Sequence, residues 1–207
     1  MVLEILLEEP SAEALIKKLA SSISPAAQEG RDFETRVFQG KDDLLRKLPQ
    51  RLAGYGNWAA ASDIRFLILV DRDDDDCSIL KRRLVEVIKN TKGLEYLTGT
   101  ETASGGHVKV AVACEEIEAW MIGDPDALRA AYPKLPKAFE TRSIYRDPDE
   151  IKGGTWERLE KLLQDHGYFP GGLRKMELAR TVGPLMNPAV NRSSSFQHFC
   201  QSFRTLI

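Results

Sequence analysis

The residues with the clearest chemical potential form one charged run, Asp71-Arg72-Asp73-Asp74-Asp75-Asp76. The run directly follows Ile64–Val70, an apolar segment typical of a strand that is buried on both faces. Residues two apart at a strand end project to the same side, so we expect the carboxylates of Asp71 and Asp73 to converge. Carboxylates about 5 Å apart repel each other by roughly 1–3 kcal/mol, and a bound cation removes that repulsion. Oxygen ligands favour a hard ion, Mg²⁺ or Mn²⁺.

The same run also has a purely structural interpretation. Aspartates at the start of a helix stabilise its dipole and leave their carboxylates in solvent. We prefer this interpretation for Asp74, Asp75 and Asp76, and the metal interpretation for Asp71 and Asp73.

Two more acidic groups follow apolar segments in the same way. Glu8 and Glu9 come after Val2–Leu7, and a cluster at Glu115–Glu118 comes after Val108–Cys114. Each group could equally be a set of solvated carboxylates beside a helix start. Because the carboxyl ends of parallel strands meet at one edge of a sheet, we predict that the three acidic groups share that edge.

These acidic groups are positioned by an alternation of strand and helix patterns. Both-face burial of the strands and short helical repeats between them predict an α/β fold with a mostly parallel sheet flanked by helices. The predicted strands are Val2–Leu7, Phe33–Phe38, Ile64–Val70 and Val108–Cys114, and the helical patterns begin near Pro10, Lys41, Cys77 and Glu115.

The pattern changes near Asp124, which is expected to cap a helix that begins at Pro125. We therefore predict an α/β domain over residues 1–123 and a helical C-terminal extension over residues 124–207 that packs on it. Thr155–Gln164 has a clear helical repeat, and Lys137–Gly154 is predicted to be an ordered loop. A final helix carries Phe196, Phe199 and Phe203 on one face.

Composition limits the classes of function. The 207 residues carry 29 Lys plus Arg and 31 Asp plus Glu, a net charge of −2, which argues against nucleic-acid binding through bulk positive charge. A local basic groove is still compatible, and residues 168–207 carry five basic side chains against one acidic side chain. No apolar run approaches the roughly 18–20 residues that span a bilayer, and the first residues lack the basic region of a signal peptide. The three cysteines form no CxxC, so we expect a cytoplasmic protein with reduced thiols and no membrane contact.

Several of these segments resemble TOPRIM domains. LLEEPSAEALI (6–16) is similar to their opening strand-turn-helix, and FLILVDRDDDDC (66–77) is similar to their DxD strand. With ACEEIEAWMIGD (113–124) and RDPDEIKGGTWERLEKLL (146–163), the whole chain resembles a bacterial and archaeal family of TOPRIM-like domains of unknown function. RloB-like proteins and OLD-family nucleases, linked to bacterial and phage defence and often to ATPase partners, would be distant relatives.

The resemblance implies a TOPRIM-like, Rossmann-like fold and specific roles for four residues. Glu8 would be a general acid or base and would contribute to the metal site, while Asp71 and Asp73 would hold Mg²⁺. Glu118 matches the acidic residue of the EIEAW element. Glu9 departs from the pattern, because TOPRIM domains usually have glycine after the glutamate.

Three functions follow from this interpretation. The first is a Mg²⁺- or Mn²⁺-dependent nuclease of DNA or RNA. In it, Lys152 and the basic side chains of residues 168–207, which we call the basic tail, would supply cations for the phosphate. The second is a non-catalytic TOPRIM module that partners an ATPase. The third is a phosphatase of the haloacid-dehalogenase type, although that family places its DxD on the first strand and here a β-α-β-α unit precedes it.

Overall fold

The structure is a computed structural model that describes residues 2–56, 58–59, 61–99 and 105–207. Its strands are β1 (Val2–Leu7), β2 (Phe33–Val37), β3 (Ile64–Asp71), β4 (Glu95–Tyr96) and β5 (His107–Ala113). Its helices are α1 (Pro10–Ile23), α2 (Lys41–Gly56), α3 (Cys77–Lys89), α4 (Glu118–Ile122), α5 (Pro125–Ala131), α6 (Thr155–Gln164), α7 (Lys175–Val182) and α8 (Ser194–Leu206). No helix among the described residues combines the length and the apolar character that crossing a membrane requires.

The five strands form one parallel sheet in the order β2-β1-β3-β5-β4. The three strands that end in acidic residues are therefore direct neighbours at the centre. Their register aligns the ends as well, since Leu7 pairs with Leu69 and Asp71 pairs with Ala113. The predicted α/β fold is confirmed, and the sheet is entirely parallel rather than mostly so.

Two hydrophobic layers, one on each face of the sheet, explain why the strands are apolar almost throughout. One layer packs side chains of β1, β3 and β5 against α1 and the C-terminal helices, and the other packs them against α2 and α3. Successive residues of a strand serve opposite layers, as Leu67 and Leu69 do against Phe66 and Ile68. This packing on both sides leaves the carboxyl edge of the sheet as the place where polar side chains collect.

Residues 124–207 cover one face of the sheet and share its core. Helix α7 packs on α1, and α8 packs on β5 and β3. The buried Trp120 contacts Phe196 and Phe199 of α8, with ring centroids 5.3 and 5.1 Å apart. The proposed boundary between residues 1–123 and 124–207 remains a prediction, since both parts contribute to the same hydrophobic layer.

A few predicted elements need correction. The helix predicted from Glu115 begins at Glu118, and β4 was not predicted. Helix α2 continues through Pro49, although a proline inside a helix removes a hydrogen bond and commonly kinks or ends it. The Lys137–Gly154 loop contains three short 3₁₀ turns, at Phe139–Thr141, Ser143–Tyr145 and Pro148–Glu150. The observed ends of β2, β3 and β5 differ by one residue from the predicted ends.

Candidate functional site: a buried carboxylate cluster at the carboxyl edge of the sheet

Glu8 and Asp71 lie side by side where β1 and β3 end. Both side chains are buried, with 7% and 4% of their surfaces exposed. The backbone N–H of Asp71 donates a hydrogen bond to Glu8 Oε1 at 3.2 Å, so the two residues are in direct contact. Glu8 Oε2 is buried and has no hydrogen-bond partner among the described residues. The structure thus brings together two of the three residues for which the sequence suggested metal binding.

The pair is electrostatically strained. Burial raises the pKa of Glu8 to about 7, hydrogen bonds with Asp71 oppose that rise, and the charges of Asp73 and Glu9 add to it. Burial likewise raises the pKa of Asp71 well above its usual range, and the charges of Glu8 and Glu118 add to that effect. Two carboxyl groups that are buried in contact disfavour simultaneous ionisation, so a proton or a cation stabilises the pair.

Asp73 lies beside this pair but its carboxylate has a different partner. Its side chain is about half exposed, and Oδ2 is 2.8 Å from Nζ of Lys41. The Lys41 ammonium also lies 2.6 Å from Asp75 Oδ2 and donates to the carbonyl oxygen of Arg72 at 3.0 Å. Lys41 therefore acts as an internal cation for residues 72–76, which we call the acidic loop. Its position in the sequence, directly after Gly40, did not predict this role.

The backbone of the acidic loop is held in an uncommon conformation. Asp73 and Glu115 both have positive φ, 49° and 61°, which costs energy in residues other than glycine. The N–H of Asp73 donates to the Glu115 carbonyl at 2.8 Å, and Arg72 forms an ion pair with the Glu115 carboxylate. These contacts fix the end of β3 against the segment that follows β5.

Glu118, the first residue of α4, is completely buried, and neither of its carboxylate oxygens has a hydrogen-bond partner among the described residues. The nearest cation is Lys175 of α7, whose Nζ lies 3.5 Å from Glu118 Oε1 and 3.4 Å from Glu116 Oε1. Burial raises the pKa of Glu118 to about 7 even though Lys175 opposes the rise. Burial lowers the pKa of Lys175, but the charges of Glu118 and Glu116 outweigh it and raise that pKa above its usual range.

Lys152 is not part of this arrangement. It is exposed and lines a separate hollow with Arg146 and Arg158, and its carbonyl accepts a hydrogen bond from Arg158 Nε at 3.3 Å. Within the described parts of the chain, no ion pair or hydrogen bond joins Lys152 to the acidic cluster, by which we mean Glu8, Asp71, Asp73, Glu116 and Glu118. The lysines that the structure places at the cluster are Lys41 and Lys175.

A cleft of about 340 Å³ opens beside the cluster. Its walls come from the acidic loop, the segment after β5 and the start of α6, and the lining residues are Asp73, Asp74, Glu115, Glu116, Gly153, Gly154, Trp156 and Glu157. The N–H of Trp156 donates to Glu116 Oε2 at 2.9 Å, and the Lys175 ammonium lies over the Trp156 ring, 5.5 Å from its centroid. The cleft provides room for a ligand next to the buried carboxylates.

Glu9, which replaces the glycine expected from the resemblance, is accommodated without strain. Its backbone is extended, with φ −141° and ψ 159°, so this position does not require glycine. Its carboxylate accepts a hydrogen bond from the hydroxyl of Ser11.

The donor set suits a hard divalent cation, although no preformed cage exists. Within residues 2–56, 58–59, 61–99 and 105–207, no three His, Cys, Asp or Glu side chains stand in an arrangement that could hold a metal ion. The carboxyl groups of Glu8 and Asp71 are nevertheless close enough for the charge of Glu8 to raise the pKa of Asp71, and Glu8 Oε2 has no hydrogen-bond partner among the described residues. Asp73 would complete an all-oxygen set if its carboxylate exchanged the Lys41 ammonium for the ion.

The basic tail has internal partners for most of its charges. Arg174 pairs with Glu177 at 2.9 Å, and Lys175 pairs with the acidic cluster. Arg192 donates to the carbonyl oxygens of Arg146, Ile122 and Tyr145, and Arg204 donates to the carbonyl of Ile23. The tail therefore ties the C-terminal helices to the rest of the chain.

Comparison with known proteins gives one match. The family model of a domain of unknown function, DUF4276, matches residues 7–204 and so includes every residue of the carboxylate cluster. Neither the curated proteins nor the solved structures contain a significant match.

Proposed function

The chain belongs to the family of the domain of unknown function DUF4276, and we propose that it hydrolyses phosphodiester bonds with the help of a divalent metal ion. The observation that carries this proposal is the neighbouring position of two buried acidic residues: the backbone N–H of Asp71 donates to Glu8 Oε1, and Glu8 Oε2 has no partner among the described residues. Buried like charges destabilise a fold, and a cation that binds between them offsets that cost. The resemblance to TOPRIM domains belongs to the same proposal, because it assigns metal binding to the same residues.

Asp71, Glu8 and Asp73 would hold Mg²⁺ or Mn²⁺, which supplies charge neutralisation at a phosphate and a lowered pKa for bound water. The chain's own groups have complementary roles. In the metal-free protein burial raises the pKa of Glu8 to about 7, so binding of the ion near neutral pH would displace a proton from it, and general acid or base work is the role that the resemblance implies for the same residue. Lys175 stays protonated and carries a fixed positive charge beside the cleft, where it can bind a phosphate oxygen.

The test is incubation of the pure protein with plasmid DNA, single-stranded DNA and single-stranded RNA, in Mg²⁺, Mn²⁺ or EDTA. We expect cleavage that depends on the metal and falls by at least about 100-fold in Asp71→Asn, because that change removes a metal ligand while keeping the side-chain shape. The matched control is Asp42→Asn, because Asp42 is exposed in the first turn of α2, does not line the cleft, and forms no hydrogen bond or ion pair with another residue that the structure describes. It should keep near wild-type activity.

Two lysine variants test which lysine supplies the cation for the phosphate: Lys175, as the geometry suggests, or Lys152, as the sequence suggested. Lys175→Ala should reduce cleavage, whereas Lys152→Ala should leave it nearly unchanged. Cleavage that persists in EDTA, or that survives Asp71→Asn, would contradict the proposal. Complete inactivity combined with stable retention of an ATPase in a pull-down would instead favour the non-catalytic module.

A further inference from the structure

Helix α3 and the turn after it carry a row of basic side chains that have no partners within the described structure. They are Lys81, Arg82, Arg83, Lys89 and Lys92, and we call them the α3 basic face. All but the half-buried Lys81 are exposed, and Glu86 is the one acidic residue between Cys77 and Lys92. No ion pair or hydrogen bond joins any of the five side chains to another residue that the structure describes.

The close spacing of five such side chains, within residues 81–92, distinguishes the face from other basic parts of the chain. In the tail, Arg174, Lys175, Arg192 and Arg204 have internal partners, and Arg180 is the remaining basic residue there. The basic residues around the 143–158 loop are interspersed with acidic ones that line the same hollow. In a chain with a net charge of −2, an unpaired cluster of five cations is a concentrated positive surface.

Helix stability does not account for the face. Cations stabilise a helix within its last turn, which explains Lys89. Lys81, Arg82 and Arg83 lie in the second turn of α3, beyond the reach of this effect, so the helix dipole does not explain them. The apolar residues Leu80, Leu84 and Ile88 are buried in the core, so the basic residues are not needed to attach α3 to the sheet.

The position of the face relative to the carboxylate cluster suggests its use. Helix α3 begins at Cys77, directly after the acidic loop, and runs away from the carboxyl edge of the sheet. At 1.5 Å per residue, Arg82 and Arg83 lie about 8–9 Å from the start of α3, and Lys89 lies about 18 Å from it. At about 100° per residue, Lys81, Arg82 and Lys89 project within about 100° of one another, whereas Arg83 projects about 100° further round the helix. One strand of duplex DNA presents a phosphate about every 3.4 Å along its axis, so Lys81, Arg82 and Lys89 could contact phosphates of one strand.

We propose that the α3 basic face binds the sugar-phosphate backbone of a nucleic acid and leads it to the carboxylate cluster. Its catalytic purpose rests on the proposed function, but the binding itself does not. A nucleic acid fits better than a lipid surface, because an interfacial helix needs a broad free apolar face. The apolar face of α3 is buried, and Ile79 is the exposed large apolar residue of that helix.

The experiment measures binding of the full chain to fluorescent 20-nucleotide probes, single-stranded and duplex, in EDTA at several salt concentrations. We expect affinity to fall with salt, with a log–log slope of about −0.9 per phosphate contact for the duplex and about −0.7 for the single strand. Arg82→Glu with Lys89→Glu, two exposed residues seven apart on one side of α3, should weaken binding about tenfold or more at low salt and flatten the duplex slope by about 2. Arg174→Glu with Arg180→Glu, two exposed residues of the tail, is the matched control and should bind as the wild type does.

Several outcomes would overturn the inference. They are equal binding by the α3 variant and the wild type, loss of binding in the tail variant instead, and wild-type binding to phosphatidylserine vesicles but to neither probe. Since the assay contains no metal, such a failure leaves the cleavage proposal standing. Conversely, salt-dependent binding without metal-dependent cleavage would support the face and contradict the catalytic proposal. Circular dichroism of both double variants confirms that they are folded.

Discussion

The buried carboxylate of Glu118 should make the free energy of unfolding depend on pH, and Glu118→Gln should remove part of that dependence. A pKa of about 7 in place of 4.5 means that ionising Glu118 in the folded protein costs about 3 kcal/mol, at 1.36 kcal/mol per pKa unit. The pKa is higher in the folded state than in the unfolded state. The contribution of the group to stability is therefore fully present below about pH 4.5 and is lost as the pH rises through about 7.

The assay is urea unfolding at pH 5 and pH 8 in EDTA, followed by the fluorescence of tryptophan, since Trp120 is fully buried in the folded protein. In the wild type, Glu118 should lower the free energy of unfolding by about 2–3 kcal/mol between these two pH values. In Glu118→Gln, the fall in the free energy of unfolding between pH 5 and pH 8 should be smaller than in the wild type by this contribution, because glutamine does not ionise. The ion pair with Lys175 forms only when Glu118 is ionised, and its favourable effect is already contained in the raised pKa of about 7, so it adds no separate contribution to the difference between pH 5 and pH 8.

Glu86→Gln is the matched control, since Glu86 is exposed on α3 and forms no ion pair with another residue that the structure describes. It should show the wild-type difference between pH 5 and pH 8. If Glu118→Gln also retained the full wild-type difference, the reasoning from burial would be refuted.

Two further variants test the surroundings of the cluster. Lys175→Met should lower the free energy of unfolding more at pH 8 than at pH 5, because the variant lacks the cation that stabilises the ionised forms of Glu116 and Glu118. Equal losses of stability at both pH values would contradict the ion-pair assignment. Asp149→Ala should destabilise the protein by about 2–4 kcal/mol in urea unfolding, because its buried carboxylate accepts hydrogen bonds from the Ser193 hydroxyl and from the hydroxyl and N–H of Ser195. A loss below about 0.5 kcal/mol would show that this network is not formed.

Regular patterns made much of the fold predictable. Val2–Leu7 and Thr155–Gln164 have in the structure the bounds that the sequence predicts, because an apolar run and a helical repeat specify them locally. Strand β4 has only two residues, and its place at the edge of the sheet depends on pairing with β5. The late start of α4 depends on the positive φ of Glu115 and on its contacts with the acidic loop, and neither is visible in a local pattern.

The candidate site was predictable only in part. The neighbouring positions of Glu8 and Asp71 follow from the parallel strands that carry them, so the sequence was sufficient to suggest that they meet. Lys175 is separated from Glu118 by α5, α6 and a long loop, and no local signal announces their contact. The hydrogen-bond partners of long side chains could not be predicted from the sequence either. Arg192 and Arg204 donate to backbone carbonyl oxygens and do not line a basic surface groove.

The central claim is that Glu8 and Asp71 belong to a metal site, and a Mn²⁺ titration tests it most directly. Free Mn²⁺ gives an electron paramagnetic resonance signal that weakens when the ion binds, so the protein can be titrated without any substrate. At pH 7.5 we predict Mn²⁺ binding by the wild type, weaker binding by Glu8→Gln, and no binding by Asp71→Asn, with Asp42→Asn behaving as the wild type. Absence of binding by the wild type, or undiminished binding by Asp71→Asn, would contradict the account.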